Sequence, residues 1–366
     1  MGIPFDPKEL EVVETVPATP RFPERDVLNY PVTPREAVLA LYAHHPIWQV
    51  TNWEIGSFNP RVIPDNWARG MVREKLPFDK ETMAGGPDMF GVNWVYEPQA
   101  GGSMEDASQP FILEDVNDWR ECIKFPDVDS WEWEACAEDV GDFLDNGLFN
   151  QMTLFTGWFE RLISFMGFEE AALALIDEDQ QDAVKELFLA LSDCYIDILD
   201  HAFKYFPGID GIVTHDDWGS QAAPFFSFDI AEELIVPAMK KVVDFVHSKG
   251  KFIELHSCGN HGIVQLPNII AAGYDAWCPQ LMNDIDTMWN EHGSEILLPP
   301  LFPAELSADL SDEEQIRLAD EYVEKYCTTP GRPSWCNFNQ RELMYPAFLK
   351  ELYIKSREAY AAWPED

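Results

Sequence analysis

The sequence predicts an α/β protein whose strands and helices alternate into a (β/α)8 TIM barrel. Three observations lead there. Strand-like and helix-like segments alternate regularly from about residue 150 to the C-terminus. Six such strands, with two more upstream, make the eight that close a parallel barrel. The glycine fingerprints that would favour an open, nucleotide-binding sheet, G-x-G-x-x-G and G-x-x-x-x-G-K-[ST], are absent.

In chain order, residues 1–32 are Pro-rich and read as an irregular N-terminal arm. Thr33-Pro34-Arg35-Glu36 opens a helix, with a Thr cap, Pro at the first position and apolar Val38, Leu39, Leu41 and Tyr42 following. Pro46 stops it, and Ile47–Trp53 reads as the first strand. Residues 54–145 are loosely patterned, with a second strand near 91–96, and form an insertion placed to cap a substrate site within a single domain over 33–366. Between Glu114 and Asp145 stand 12 Asp or Glu against Arg120 and Lys124, the composition of a solvated acidic face. Further strands are predicted over 151–155, 210–215, 251–256, 274–278, 296–301 and 333–337. Helices fall at 157–177, 179–205, 228–248, 261–272, 311–327 and 341–362. Ile230, Leu234, Met239, Val242 and Val246 share one face of the 228–248 helix, which Pro237 should kink.

Charge narrows the function. The 366 residues carry 65 Asp and Glu against 25 Lys and Arg, a net charge of −40. Such a surface repels phosphate backbones and anionic headgroups, so neither nucleic acid nor membrane is expected as a partner. At 46% hydrophobic and 13% aromatic residues, the chain is nonetheless expected to fold. Its start has no signal-peptide pattern, and no apolar run is long enough to span a bilayer. Seven cysteines in such a chain predict reduced thiols and a cytoplasmic location.

The chemistry concentrates at predicted strand ends. Glu254-Leu255-His256-Ser257-Cys258-Gly259-Asn260 ends the 251–256 strand. Side chains alternate along a strand, so Glu254, His256 and Cys258 share one face, and an imidazole and a thiolate two residues apart can converge on one zinc ion. A third ligand would come from another strand end: Cys336 first, Cys278 second, with Glu254 a further alternative. A packed cysteine beside a hydrogen-bonded histidine is the bland competitor. His215-Asp216-Asp217-Trp218-Gly219-Ser220-Gln221 forms a second cluster, in which Asp216 and Asp217 either join Glu254 in orienting substrate and handling a proton or cap a local turn.

Several ordered motifs together resemble the uroporphyrinogen decarboxylase superfamily. They are Thr33-Pro34-Arg35-Glu36-Ala37-Val38, Asp216 to Gln221, Val246-His247-Ser248-Lys249-Gly250, His256-Ser257-Cys258-Gly259-Asn260, and Gly273-Tyr274-Asp275-Ala276 with Pro279-Gln280. The likeness runs in order over roughly 33–362. The decarboxylases themselves carry an arginine-rich R-Q-A-G-R segment, where this chain has Trp48-Gln49-Val50-Thr51-Asn52-Trp53-Glu54. The chain is more similar to the zinc-dependent, corrinoid-linked methyltransferase branch, whose H-x-C and later Cys match His256, Cys258 and Cys336, although Asn337-Phe338-Asn339 follows Cys336 in place of a Gly-rich turn.

That resemblance implies zinc and a corrinoid (cobalamin). The corrinoid would sit on a partner protein, since no D-x-H-x-x-G motif is present here. It implies Trp53, Gln221 and Gln280 as substrate contacts, a homodimer, and methyl transfer from a small donor such as an aryl methyl ether, or in reverse to a thiol; the alternative from another class is a metal-free decarboxylase-like enzyme or a non-catalytic binding barrel. The aromatics of the insertion, among them Trp67, Phe90, Trp94, Trp119 and Trp133, either wall a flat substrate pocket or fill a second small core.

Overall fold

The structure is a computed structural model describing residues 3–17, 24–99, 102–340, 343 and 345–364. The strands in chain order are β1 (Val12–Val16), β2 (Arg25–Leu28), β3 (Ile55–Phe58), β4 (Gly86–Pro87), β5 (Asn93–Glu97), β6 (Gly102–Glu105), β7 (Phe149–Leu154), β8 (Gly211–His215), β9 (Phe252–Ser257) and β10 (Ala276–Pro279). The chain forms two compact units: unit 1 is Met1–Ile55, Gly147–Phe149 and Asp275–Asp366, and unit 2 is Gly56–Asn146 and Asn150–Tyr274.

Unit 2 contains the central parallel sheet of this mixed α/β protein, in the order β3-β7-β8-β9. β7 pairs parallel with β8, and β8 with β9. Their near-continuous burial suits parallel strands covered on both faces. The long helix Gln181–Tyr205 and the helix Val236–Ser248 supply such covers through apolar stripes. The expected single helix over 157–177 is two, Trp158–Met166 and Phe168–Ala174, broken at Gly167 with φ +84°. The expected helix over 228–248 is interrupted by a π-helical turn at Ala231–Ile235, immediately before the helix Val236–Ser248, in whose first turn Pro237 lacks an N–H to donate.

The predicted strand at 91–96 is a correction. It forms, as β5, but in a separate antiparallel sheet β4-β5-β6, because its partners are local and adjacent in sequence. Of the insertion's aromatics, Phe58, Phe90, Trp94, Trp119 and Trp133 are buried, Trp67, Phe78, Tyr96 and Trp131 are half-buried, and Phe111 and Phe125 are exposed. Their anchor is Arg161, whose fully buried guanidinium donates to Asp65 and, at 2.6 Å, to Asp88. Asp88 also accepts from Phe90 N, Val92 N and Trp94 Nε1. One helix residue thus ties together the 65 and 88–94 stretches of the insertion.

Unit 1 corrects two further expectations. The described residues of the N-terminal segment are not all irregular: β1 and β2 pair antiparallel. Buried Glu9 ties that segment to the helix Pro346–Ala361 by accepting from Arg357 and Tyr353. Residues 47–53 are not a strand. Their polar groups bond to side chains instead: Glu54 accepts from Trp48 Nε1, Thr51 N and Thr51 Oγ1, and Gln49 N donates to Ser356 Oγ. The helix Pro34–Tyr42 has the predicted Thr33 capping box with Glu36. Parallel alternation recurs here too, as bridges Ala276–Leu297 and Leu298–Ser334.

Arg161→Met strands two buried carboxylates without their counter-charge. It should cost about 3–5 kcal/mol, read as a lower urea midpoint. An unchanged midpoint would show that the insertion is held by its aromatic packing alone.

Candidate metal centre

The β8–β9 register builds the site. Gly211-Ile212-Val213-Thr214-His215 lies alongside Phe252-Ile253-Glu254-Leu255-His256, and His215 is the direct partner of His256. Neighbouring parallel partners point to the same face, so the two rings sit with centroids 5.1 Å apart. Cys258, two residues beyond His256, returns to that face. His215 Nε2 lies 3.8 Å and His256 Nε2 3.9 Å from Cys258 Sγ. The ligand atoms of His215, His256 and Cys258 all fall within 4.8 Å of one another.

His215 is oriented from behind. Its Nδ1 donates to Glu160 Oε2 at 2.6 Å, which leaves Nε2 directed at the thiol. Glu160 is placed in turn by Asp216, which accepts from the first-turn amides Phe159 N (3.3 Å) and Glu160 N (2.9 Å) of the helix Trp158–Met166. The chain passes close behind: a Cβ on Gly157 would lie 2.6 Å from that of Asp216, so only glycine fits. On the other side, Asp217 accepts from Cys258 N, and Asn260 N donates to Ser220 O at 2.7 Å. Gly259, at φ +79°, lets these two loops touch, since a Cβ there would meet Gly219 O at 1.8 Å.

Electrostatics follow this geometry. Burial opposes a charge on His215, but the Glu160 carboxylate, the Cys258 thiol and Asp217 outweigh it and hold its pKa well above the ordinary imidazole value. Glu160 is correspondingly lowered: burial opposes its charge, and His215 prevails. Burial, then the Glu160 charge, pushes Asp216 up to about 7 and raises Asp217. Burial raises the Cys258 thiol, so the free sulfur favours its proton, and a bound cation would reverse that preference. His261, stacked on Trp218 and accepting from Trp218 N, is driven down to about 3 by burial and stays neutral.

The expected residues are placed as follows. His256 and Cys258 converge as the H-x-C spacing suggests. Glu254 is buried on their face and accepts from Gln151 Nε2. Asp216 is fully buried, and its oxygens accept from Phe159 N, Glu160 N and Trp218 Nε1, which makes it a helix cap. Gln221 is exposed in the loop after Ser220. Trp53, Gln280, Cys278 and Cys336 belong to unit 1. Trp53 lies under the Arg25 guanidinium, the Gln280 carbonyl accepts from Asn283, and Cys278 Sγ lies 3.8 Å from Asn337 Oδ1. Cys336 is buried. All seven cysteines are free thiols.

The residues that the sequence reading missed are His215 as a donor and Glu160 as its support. One signal was present: aligning the two five-residue strands superposes their terminal histidines.

The donor set suits zinc. Bond lengths near 2.0–2.1 Å to nitrogen and 2.3 Å to sulfur place tetrahedral N and S ligands about 3.6 Å apart. The two nitrogen–sulfur separations, 3.8 and 3.9 Å, need to close by only a few tenths of an ångström.

Asp216→Ala, which removes the acceptor for two helix amides, should lower stability by about 1–2 kcal/mol, and Asp216→Asn by less, because its amide oxygen still accepts. Equal urea midpoints for Asp216→Ala and the unaltered protein would contradict the capping role.

No protein-family model matches the chain, and no curated protein matches it. Among solved structures it is similar to a glycoside hydrolase of family 27, a β-L-arabinopyranosidase from Geobacillus stearothermophilus. That likeness has 10% identity and a TM-score of 0.33 over 90% of this chain and 73% of the other. It is also similar to a sugar phosphate isomerase/epimerase from Parabacteroides distasonis, with 10% identity and a TM-score of 0.28 over 65% of this chain and 79% of the other.

Proposed function

We propose that this chain is a zinc-dependent methyltransferase moving a methyl group between a small methylated substrate and a corrinoid carried by a separate protein. The observation that carries the reading is the donor group His215, His256 and Cys258, with Glu160 fixing the first imidazole. Two imidazole nitrogens and one sulfur are a catalytic-type set, which leaves a fourth position for substrate. Bound there, zinc would supply Lewis-acid activation of a substrate oxygen or sulfur. The protein's own residues do the rest. Glu160 holds the His215 proton on Nδ1, Asp217 secures the Cys258 backbone, and the setting of a buried His256 between half-buried His215 and Cys258 strengthens the charge interactions among them while leaving the group reachable.

A net charge of −40 favours a neutral or weakly charged substrate over a polycarboxylate. Within that class an aryl methyl ether is the donor that the resemblance implies, and a thiol receiving methyl from the corrinoid is the reverse alternative. The resemblance carries with it a closed (β/α)8 barrel and a cytoplasmic homodimer. What supports the barrel is the parallel, in-order strand pairing found in each unit taken by itself.

Metal analysis of protein purified without added metal should find about one zinc per chain. His215→Ala and Cys258→Ala should lose it, and Cys336→Ala should keep it. Zinc retained in His215→Ala but lost in Cys336→Ala would return the third position to Cys336, and no zinc in the folded protein would sink the proposal.

The reaction itself is tested by mixing the zinc-loaded protein with cob(I)alamin and methoxylated aromatics and following methylcobalamin absorbance. Formation that disappears in Cys258→Ala is expected. Formation at the same rate with and without protein would count against it.

A further inference from the structure

Unit 1 holds a cavity of about 370 Å³, within the range of small-molecule sites. Its walls include Tyr30, Trp48, Trp53 and Tyr353. Tyr30 stacks on Trp48 at 5.1 Å and meets Tyr353 edge-on at 5.2 Å, so these rings support one another rather than collapsing into the space. Glu54 also lines it, but its two oxygens are already taken by Trp48 Nε1, Thr51 N and Thr51 Oγ1, so this acid is satisfied from within.

Neither of the cavity's cations, Arg25 and Lys350, has a direct ion pair among the described residues, although Glu54 and Glu14 act on Arg25 at longer range. Arg25 lies over the Trp53 ring at 4.1 Å, and among the described residues its guanidinium meets no carboxylate within ion-pair distance and no hydrogen-bond acceptor. Lys350, at the same cavity, likewise has no ion pair among the described residues. Elsewhere Lys75, Lys185, Lys241, Lys249 and Lys325 each sit on a carboxylate. A guanidinium stays protonated in proteins and offers a planar fork of donors suited to a carboxylate.

We propose that this cavity binds a small planar aromatic acid, its ring among Tyr30, Trp48 and Trp53 and its carboxylate on Arg25 with Lys350 at the rim. The proposal does not rest on the metal reading, because none of the donor-group residues lines the cavity. Glu24 and Asp26, also at the rim, favour the opposite charge and set the counter-test.

Calorimetric titration of the full chain with benzoate, benzamide and benzyltrimethylammonium decides the matter. Benzoate is expected to bind saturably and more tightly than the other two. Arg25→Met should weaken it about tenfold or more, equivalent to at least about 1.4 kcal/mol. Leu349→Trp, which fills the cavity from the helix Pro346–Ala361 and leaves Arg25 in place, should abolish binding with the circular dichroism spectrum unchanged. Cys258→Ser, which removes a metal donor, should leave benzoate binding intact. Absence of benzoate binding, equal affinity in Arg25→Met, or tighter binding of benzyltrimethylammonium would each overturn the proposal.

Discussion

The candidate site depends on the register between two parallel strands. Because β8 and β9 pair without a bulge from Gly211–Phe252 to His215–His256, two histidines far apart in the chain end side by side on one face. A slip of one residue would turn one ring to the opposite face and dissolve the donor group. The register is secured beyond the strands as well. Asp217 accepts from Cys258 N, Asn260 N donates to Ser220 O, and the close approach of Gly219 and Gly259 admits no side chain between the two loops. The same strand end then reaches outward: Asp216 caps the helix Trp158–Met166, that helix presents Glu160, and Glu160 sets the proton on His215. Backbone pairing, helix capping and imidazole chemistry form one continuous chain of causes.

Buried charge plays a different part away from the site. Arg161 with Asp65 and Asp88 in unit 2, and Arg357 with Glu9 in unit 1, each draw a sequence-distant segment onto a helix. Ion pairs this deep give little net stability over apolar packing, but they penalise any arrangement that leaves one member unpaired. They specify where the insertion and the N-terminal strand pair sit. The surface is treated in the opposite way: exposed lysines pair singly with exposed carboxylates and leave most of the −40 charge facing solvent. Such a field raises the local concentration of cations, metals included.

Much of this was legible in the sequence, and what was not has physical causes. The helices beginning at Pro34 and Asp312 announce themselves by capping boxes at Thr33–Glu36 and Ser311–Glu314, which are local interactions. The parallel strands were legible from apolar runs between helices. His256 and Cys258 were legible because two residues along a strand is a fixed geometry. His215 was not, because its role needs a register, and register is a long-range property. The segment 47–53 has the composition of a strand, yet a buried Glu54 captures its polar groups, which no propensity reveals. β5 was correctly placed as a strand but given the wrong partners, since alternation alone does not distinguish a local hairpin from a barrel stave. The aromatics of the insertion pointed to a pocket or to a core, and burial assigns Phe58, Phe90, Trp94, Trp119 and Trp133 to the core, with Arg161 over the Phe90 ring.

The central claim is that His215, paired in register with His256, completes a metal site with Cys258. Zinc-edge X-ray absorption on the zinc-loaded protein reads the ligand atoms directly. The account predicts a first shell with two imidazole nitrogens near 2.0–2.1 Å and a single sulfur near 2.3 Å. A shell with two sulfurs and one imidazole, or one without sulfur, would contradict it.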